Sequence, residues 1–115
     1  MDTFDANSAV SRTKLILKCA DLGHAYAPIH AHVSWVDKLQ SEFFIQGDKE
    51  KVHGLPVTAM FDRDAPHNMA DTQPRFFRTI ILPMFDLLFA TYPGMDADHI
   101  KHHLRENLQY WESRI

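Results

Sequence analysis

Apolar residues in this 115-residue chain recur at steps of three and four, a spacing that places them on one face of a helix. The pattern is clearest after Pro28, which suits the first turn of a helix. Gly47 is predicted to end this helix. Its apolar positions are Ile29, Val33, Val36, Leu39 and Phe43. No alternation of apolar and polar residues persists long enough to predict a strand. The chain is therefore predicted to be all-α.

The same spacing predicts helices on both sides of this one. A first helix should follow candidate caps at Asp5, Asn7 or Ser8 and run to about Gly23. It carries an apolar surface suited to burial, made by Val10, Leu15, Ile16 and Leu17.

The C-terminal half predicts three more helical pieces after a charged turn, DKEKVHG, and a long ordered loop, LPVTAMFDRDAPHN, which contains Pro56 and Pro66. Residues 69–92 are apolar on more than one face, so this stretch should be largely enclosed, and Pro83 should kink it. A last helix should follow Pro93 and Gly94. Its apolar stripe consists of Ile100, Leu104, Leu108, Trp111 and Ile115. About five helices are expected in all.

Composition narrows the class of partner. The formal net charge of -3 provides no cationic field for nucleic acid or anionic lipid. A single cysteine, Cys19, excludes an internal disulfide, and its apolar neighbours predict a buried thiol. The N-terminus lacks a basic start followed by an apolar run, and no stretch reaches membrane-spanning length. A soluble, cytoplasmic protein with no nucleic-acid or membrane partner is expected.

One acidic side chain and several histidines are candidates for chemistry. Asp21 follows an apolar run, where burial of a carboxylate would demand a cation or several hydrogen-bond donors, although an aspartate near a helix end is equally consistent with the residue types. His30 and His32 are two apart and should point to different faces of their helix. His99 and His103 have the i, i+4 spacing of a shared ion but lack an acidic partner between them, which favours no metal there.

Three blocks in order, CADLGH, EFFIQGDKE with the following GLP, and the pair Gln73 and Phe76 shortly after MFDR, resemble the closing third of the class I 3′,5′-cyclic nucleotide phosphodiesterase catalytic domain. The resemblance covers nearly the whole chain. It implies an all-helical fold and hydrolysis of cyclic AMP, cyclic GMP or both to nucleoside 5′-monophosphates. It also implies two divalent ions, zinc with magnesium or manganese, joined by a hydroxide that attacks the phosphate.

The resemblance assigns roles to six residues. Asp21 matches the family's late metal-ligand aspartate. Gln73 matches the glutamine that hydrogen-bonds the purine edge, and its amide offers both a donor and an acceptor. Phe76 matches the aromatic wall that stacks on the purine, and Leu39 matches the apolar residue opposite. His24 stands where many members carry asparagine and some carry histidine, lining the base or ribose, and His32 could orient the Gln73 amide.

The resemblance is partial. The family's other metal ligands lie upstream in motifs that include a His-Asp pair, and this chain contains no such dipeptide. Residues 1–115 are therefore expected to be one partial domain, inactive alone, whose partner is the missing N-terminal part of the catalytic domain. Pro74 and Arg75 stand at positions next to Gln73 where the family usually carries small or aliphatic residues. The alternatives are a non-catalytic nucleotide-binding protein and a helical interaction module, and exposed apolar surface predicts self-association.

Overall fold

A computed structural model of the chain describes residues 3–65 and 69–114. These residues contain five α-helices: α1 (Ala9–Asp21), α2 (Ile29–Val52), α3 (Met69–Phe76), α4 (Leu82–Thr91) and α5 (Asp98–Glu112). A 3₁₀ turn follows α1 at Gly23–Tyr26, a second lies at Ala59–Phe61, and a π-helical turn at Phe77–Ile81 joins α3 to α4. No strand occurs in these ranges. The all-α prediction is confirmed.

Helix α1 begins where the capping pattern predicted. The Ser8 hydroxyl accepts a hydrogen bond from the Ser11 backbone N–H at 3.3 Å, satisfying one of the free donors of the first turn. Leu15 and Cys19 are buried, and burial raises the pKa of the Cys19 thiol. The predicted apolar surface is otherwise not enclosed, since Val10 and Leu17 are 64% and 58% exposed. These side chains lie on the face of α1 opposite the core.

Helix α2 continues past the residue predicted to end it. Gly47 lies inside the helix, so DKEKV is helical and not a turn. The helix ends instead at Val52, and two residues later Gly54, with a φ of 69°, takes the left-handed conformation that favours glycine. Leu55 N–H donates to the Glu50 carbonyl at 2.8 Å, and Gly54 N–H donates to the Lys51 carbonyl at 3.1 Å. Together these bonds form a Schellman cap.

Gly47 has a packing role. A Cβ atom at this position would lie 2.0 Å from the carbonyl oxygen of Phe61, in the turn Ala59–Phe61. The absence of a side chain therefore lets the backbone of this turn touch the helix. The Phe61 ring packs on Phe43, one helical turn before Gly47, with centroids 4.8 Å apart.

Ion pairs hold the loop after α2 against the helix. Arg63 donates from Nε to Asp48 Oδ1 at 3.0 Å and from Nη2 to the other carboxylate oxygen, which lowers the pKa of Asp48. Lys51 donates to Asp62 and Asp64, and its hydrogen bond lowers the pKa of Asp62. Asp48 is a helical residue of α2, within the stretch predicted to be a turn. Pro66, in the predicted loop, lies outside the described residues.

Pro83 was predicted to kink its helix. The irregularity in the structure is a π-helical turn that precedes Pro83. Pro83 sits in the first turn of α4, and the preceding turn is π-helical, with Leu82 N–H donating to the Phe77 carbonyl. A proline ring clashes with the carbonyl four residues earlier, and the wider turn accommodates it. This stretch is also less enclosed than predicted: Phe77, Ile81 and Phe85 are buried, whereas Ile80 is 46% exposed.

Helix α5 packs its predicted stripe into the core, with Leu104, Leu108 and Trp111 buried; Ile115 lies outside the described residues. It contacts both α3 and the turn Gly23–Tyr26. The radius of gyration is 16.4 Å, larger than the roughly 13 Å of a compact domain of this length. Within the described ranges, no helix has the length and apolarity needed to cross a membrane.

Candidate functional site

Asp21 lies at the last position of α1, and its side chain is exposed. Burial of this carboxylate, one of the sequence arguments for a bound cation, is therefore absent from this structure. Among the described residues, no group of three His, Cys, Asp or Glu side chains is arranged to hold a metal ion. His99 and His103 pack edge to face with centroids 4.7 Å apart, without a third ligand. The residues present do not fit a complete binuclear centre.

Gln73 presents a polar group inside the fold. It lies on α3 and is only 6% exposed. Its amide nitrogen is 3.9 Å from Met69 Sδ, a weak acceptor, and its carbonyl oxygen is buried without a hydrogen-bond partner. Leaving a buried acceptor unpaired costs about 1–3 kcal/mol, so this oxygen lacks the partner that a buried acceptor usually has. Gln73 does not line the groove beside Phe76.

Phe76 is half-buried and lines a groove of about 620 Å³ between α3 and the turn Ala59–Phe61. Met60, Thr72, Arg75 and Ile80 also line it. Leu39 is half-buried on α2 and does not belong to this lining. The groove thus contains one of the two side chains expected to clamp a purine ring.

His32 is fully buried and hydrogen-bonded at both ring nitrogens. Trp111 Nε1 donates to His32 Nε2 at 2.8 Å, and His32 Nδ1 lies 2.8 Å from the His24 carbonyl oxygen. The indole N–H is a donor only, so Nε2 accepts and neutral His32 carries its proton on Nδ1. Neither ring nitrogen is left for the Gln73 amide, which His32 had been expected to orient. The His32 ring contacts Phe77 instead, with centroids 5.6 Å apart.

His24 lies in the 3₁₀ turn that follows α1, where three elements meet. Its Nδ1 is 3.3 Å from His32 Nδ1, and its ring stacks against Trp35 with centroids 6.0 Å apart. Burial, and secondarily the neighbouring His32, lower the pKa of His24 from 6.5 to about 4. Burial also lowers the pKa of His32. Both rings are therefore neutral near pH 7.

Asn107 and Trp111 are the residues that sequence reasoning missed at this site. They are one turn apart on α5 and face the same way. The fully buried Asn107 amide donates to the carbonyls of Ala25 and Ala27 at 2.8 and 2.9 Å. These two hydrogen bonds attach the segment that follows His24 to α5. An asparagine among the buried positions Leu104, Leu108 and Trp111 was the available signal.

The histidine pair predicts a pH-dependent stability. Because the folded state lowers the pKa of His24 to about 4, the unfolded chain binds a proton between pH 6.5 and 4 that the folded chain does not. Stability should therefore be full above about pH 6.5 and fall by about 2 kcal/mol as the pH drops to 4, after allowance for solvent screening of a half-buried ring. His32 acts in the same direction.

Urea denaturation of the wild type and His24→Gln across this pH range measures the effect. His24→Gln should flatten the dependence, and His30→Gln, which removes an exposed ring from α2, is the matched control. An equal pH dependence in wild type and His24→Gln would contradict the prediction.

Comparison with known proteins identifies the family of this chain. The family model described as 3′5′-cyclic nucleotide phosphodiesterase matches residues 2–102. The mouse protein named High affinity cGMP-specific 3′,5′-cyclic phosphodiesterase 9A is 32% identical to this chain over 99% of this chain and 20% of its own length. The human protein of the same name is also 32% identical, over 99% of this chain and 18% of its own length. A Drosophila melanogaster 3′,5′-cyclic-AMP phosphodiesterase, isoform F, is 35% identical over 87% of this chain and 15% of the relative.

A solved structure shares the fold. The structure of LmjPDEB1 in complex with IBMX superposes with a TM-score of 0.80 at 23% identity, covering 97% of this chain and 34% of that chain. The present chain thus spans about a fifth or less of these curated relatives and about a third of the solved chain. The family-model match over residues 2–102 shows that the chain belongs to the 3′,5′-cyclic nucleotide phosphodiesterase family.

Proposed function

We propose that this chain forms part of the catalytic domain of an enzyme that hydrolyses 3′,5′-cyclic nucleotides to nucleoside 5′-monophosphates. The observation that carries the proposal is the family match over residues 2–102. Relatives named for cyclic GMP and for cyclic AMP both match, so the proposed substrate is cyclic AMP, cyclic GMP or both. The chain's part in the reaction is to bind and orient the nucleotide.

Gln73 is proposed to hydrogen-bond the purine edge, with Phe76 stacking on the ring. Two observations support this: the Gln73 carbonyl oxygen is buried without a partner, and Phe76 lines a groove on the same helix. An aromatic ring gives a purine an apolar face, and an amide supplies a donor and an acceptor to either base. Leu39 is proposed to approach the opposite face of the purine.

Asp21 is proposed as a single ligand to a divalent-ion centre completed outside this chain. Zinc with magnesium or manganese would supply an activated hydroxide when bound. Since the described residues contain no three-ligand cluster, the isolated chain is proposed to be inactive.

The chain is further proposed to be one part of a larger folded domain. Val10 and Leu17 on α1 are more than half exposed and Ile80 on the π-helical turn nearly half, and the radius of gyration of 16.4 Å exceeds that of a compact domain. Large exposed apolar patches mark interaction surfaces. In the proposed enzyme, the remainder of the catalytic domain covers them.

The same exposed side chains support a second candidate, a helical interaction module without catalysis. Both candidates predict that the isolated chain self-associates. Size-exclusion chromatography with light scattering over a range of concentrations measures this, and a monomer at every concentration would contradict it.

The decisive experiment compares cyclic AMP and cyclic GMP hydrolysis, with zinc and magnesium supplied, by this chain and by the longest natural chain that contains it. The isolated chain should be inert and the longer chain active. Asp21→Ala in the longer chain should lower turnover at least about 100-fold, because loss of even an outer-shell partner of a metal typically costs 10–100-fold. Gln73→Ala should raise KM about 10-fold through lost hydrogen bonds to the base.

Matched controls exclude a general effect of substitution. Asp37→Ala and Gln109→Ala remove exposed side chains of the same types from α2 and α5, and both should retain full activity. An inert longer chain would favour the interaction module. Retained turnover after Asp21→Ala would remove the metal role of Asp21.

A further inference from the structure

Two hydrogen bonds in series connect α5 to the turn that carries His24, with Trp111 donating to His32 and His32 donating to His24. Trp111 can only donate, which leaves His32 Nε2 as an acceptor and places the His32 proton on Nδ1. That proton has a good acceptor in the His24 carbonyl oxygen at 2.8 Å. The arrangement is buried, since His32 is fully enclosed and Trp111 is 5% exposed, so water does not compete for these bonds.

The same proton restricts the His24 ring. His32 Nδ1 lies 3.3 Å from His24 Nδ1, and two N–H groups cannot point at each other across that distance. Because the His32 nitrogen bears hydrogen, a hydrogen on His24 Nδ1 would face another donor. His24 Nδ1 therefore lacks one and is a second, longer acceptor for the proton that His32 donates to the carbonyl oxygen. A neutral His24 then carries its proton on Nε2.

We propose that Trp111 and His32 form a positioning relay that holds His24 in the neutral Nε2–H tautomer, so that His24 presents a hydrogen-bond donor to a bound molecule. Trp111 and His32 are positioning residues, because they act through His24. The free imidazole prefers neither role strongly enough to guarantee this, whereas the buried relay allows one tautomer.

The exposed part of His24 is where this tautomer has consequences. His24 is half-buried, and its ring stacks on Trp35 while Nδ1 faces buried His32. An N–H at Nε2 selects an acceptor: a carbonyl, an unprotonated ring nitrogen or a phosphate oxygen. This step rests on the proposed function, in which the acceptor belongs to the nucleotide. The relay itself does not depend on it.

Nitrogen-15 NMR of the histidine rings in the wild-type chain near pH 7 tests the relay without any ligand or assay of activity. We expect long-range proton–nitrogen spectra to show His24 protonated on Nε2 and His32 on Nδ1. We also expect a coupling through the hydrogen bond between Trp111 Nε1 and His32 Nε2. A His24 protonated on Nδ1, or two His24 tautomers in comparable amounts, would overturn the proposal.

Trp111→Phe then tests direction, because it removes the donor and keeps an aromatic ring. His32 and His24 should both redistribute between tautomers. Tyr110→Phe, which changes the neighbouring ring and retains the Trp111 donor, should leave both spectra as in the wild type. If the tautomer populations of His32 change and those of His24 do not, the proposed relay is wrong. If Trp111→Phe does not fold, the wild-type spectra and the through-bond coupling still decide.

The two proposals can fail separately. If the wild-type chain has the expected tautomers but its longer form hydrolyses no cyclic nucleotide, the relay is supported and the proposed phosphodiesterase activity is contradicted. An active longer form with the wrong His24 tautomer would do the reverse.

Discussion

Changing Asn107 to aspartate is expected to lower the free energy of unfolding by about 4 kcal/mol near pH 7. The wild-type amide is fully buried and donates to the Ala25 and Ala27 carbonyls at 2.8 and 2.9 Å. An aspartate of the same shape has no donor when ionised. It would place a buried negative charge against two carbonyl oxygens, and an uncompensated buried charge costs about 3–5 kcal/mol.

Urea denaturation at several pH values measures this loss and separates charge from shape. Burial should raise the pKa of the introduced carboxyl, and the protonated acid regains one donor, so the deficit relative to wild type should shrink as the pH falls. Gln109→Glu makes the same amide-to-carboxylate change on the exposed side of α5 and should cost little. Equal stabilities for Asn107→Asp and wild type would show that this anchor does not form.

Replacement of Gly47 by alanine is the second large effect expected, about 3 kcal/mol of lost stability. Helix propensity alone predicts the opposite sign, since alanine is favoured over glycine inside a helix by about 1 kcal/mol. Sterics should win, because the new Cβ would lie 2.0 Å from the Phe61 carbonyl oxygen, a backbone atom that no rotamer change can move. Overpacking of this kind costs about 1–3 kcal/mol and sometimes more.

Gly94→Ala is the matched control, because its Cβ would meet no atom within 4 Å and should be tolerated. Thermal and urea denaturation report the stability, and fluorine NMR of a labelled Phe61 reports whether the turn leaves the helix. If Gly47→Ala is as stable as wild type and Phe61 is undisturbed, the close approach is absent.

Local signals in the sequence predicted most of the helices. Ser8 caps α1 as expected, and the stripe on α5 is buried, because capping and amphipathic spacing depend on neighbours a few residues away. Gly47 and Gly54 show where such signals are ambiguous. A glycine can end a helix or admit a neighbouring backbone, and only the packing of Phe61 against α2 distinguishes the two roles.

The candidate site divides in the same way. The family resemblance rests on ordered motifs, and the family match confirms the resemblance. The roles of Asp21, Gln73, Phe76 and Leu39 stay predictions. His32 was predicted to orient Gln73, yet its ring is engaged by Trp111 and His24, residues 79 and 8 positions away along the chain.

The sequence by itself determined the helical class and the family, because periodicity and motif order are properties of the chain alone. Tertiary structure decided which role Gly47 takes in α2 and which partners His32 and Asn107 take. These depend on contacts between residues far apart in sequence. For buried polar groups the contacts are decisive, since each donor or acceptor removed from water requires a partner that only the folded chain brings within reach.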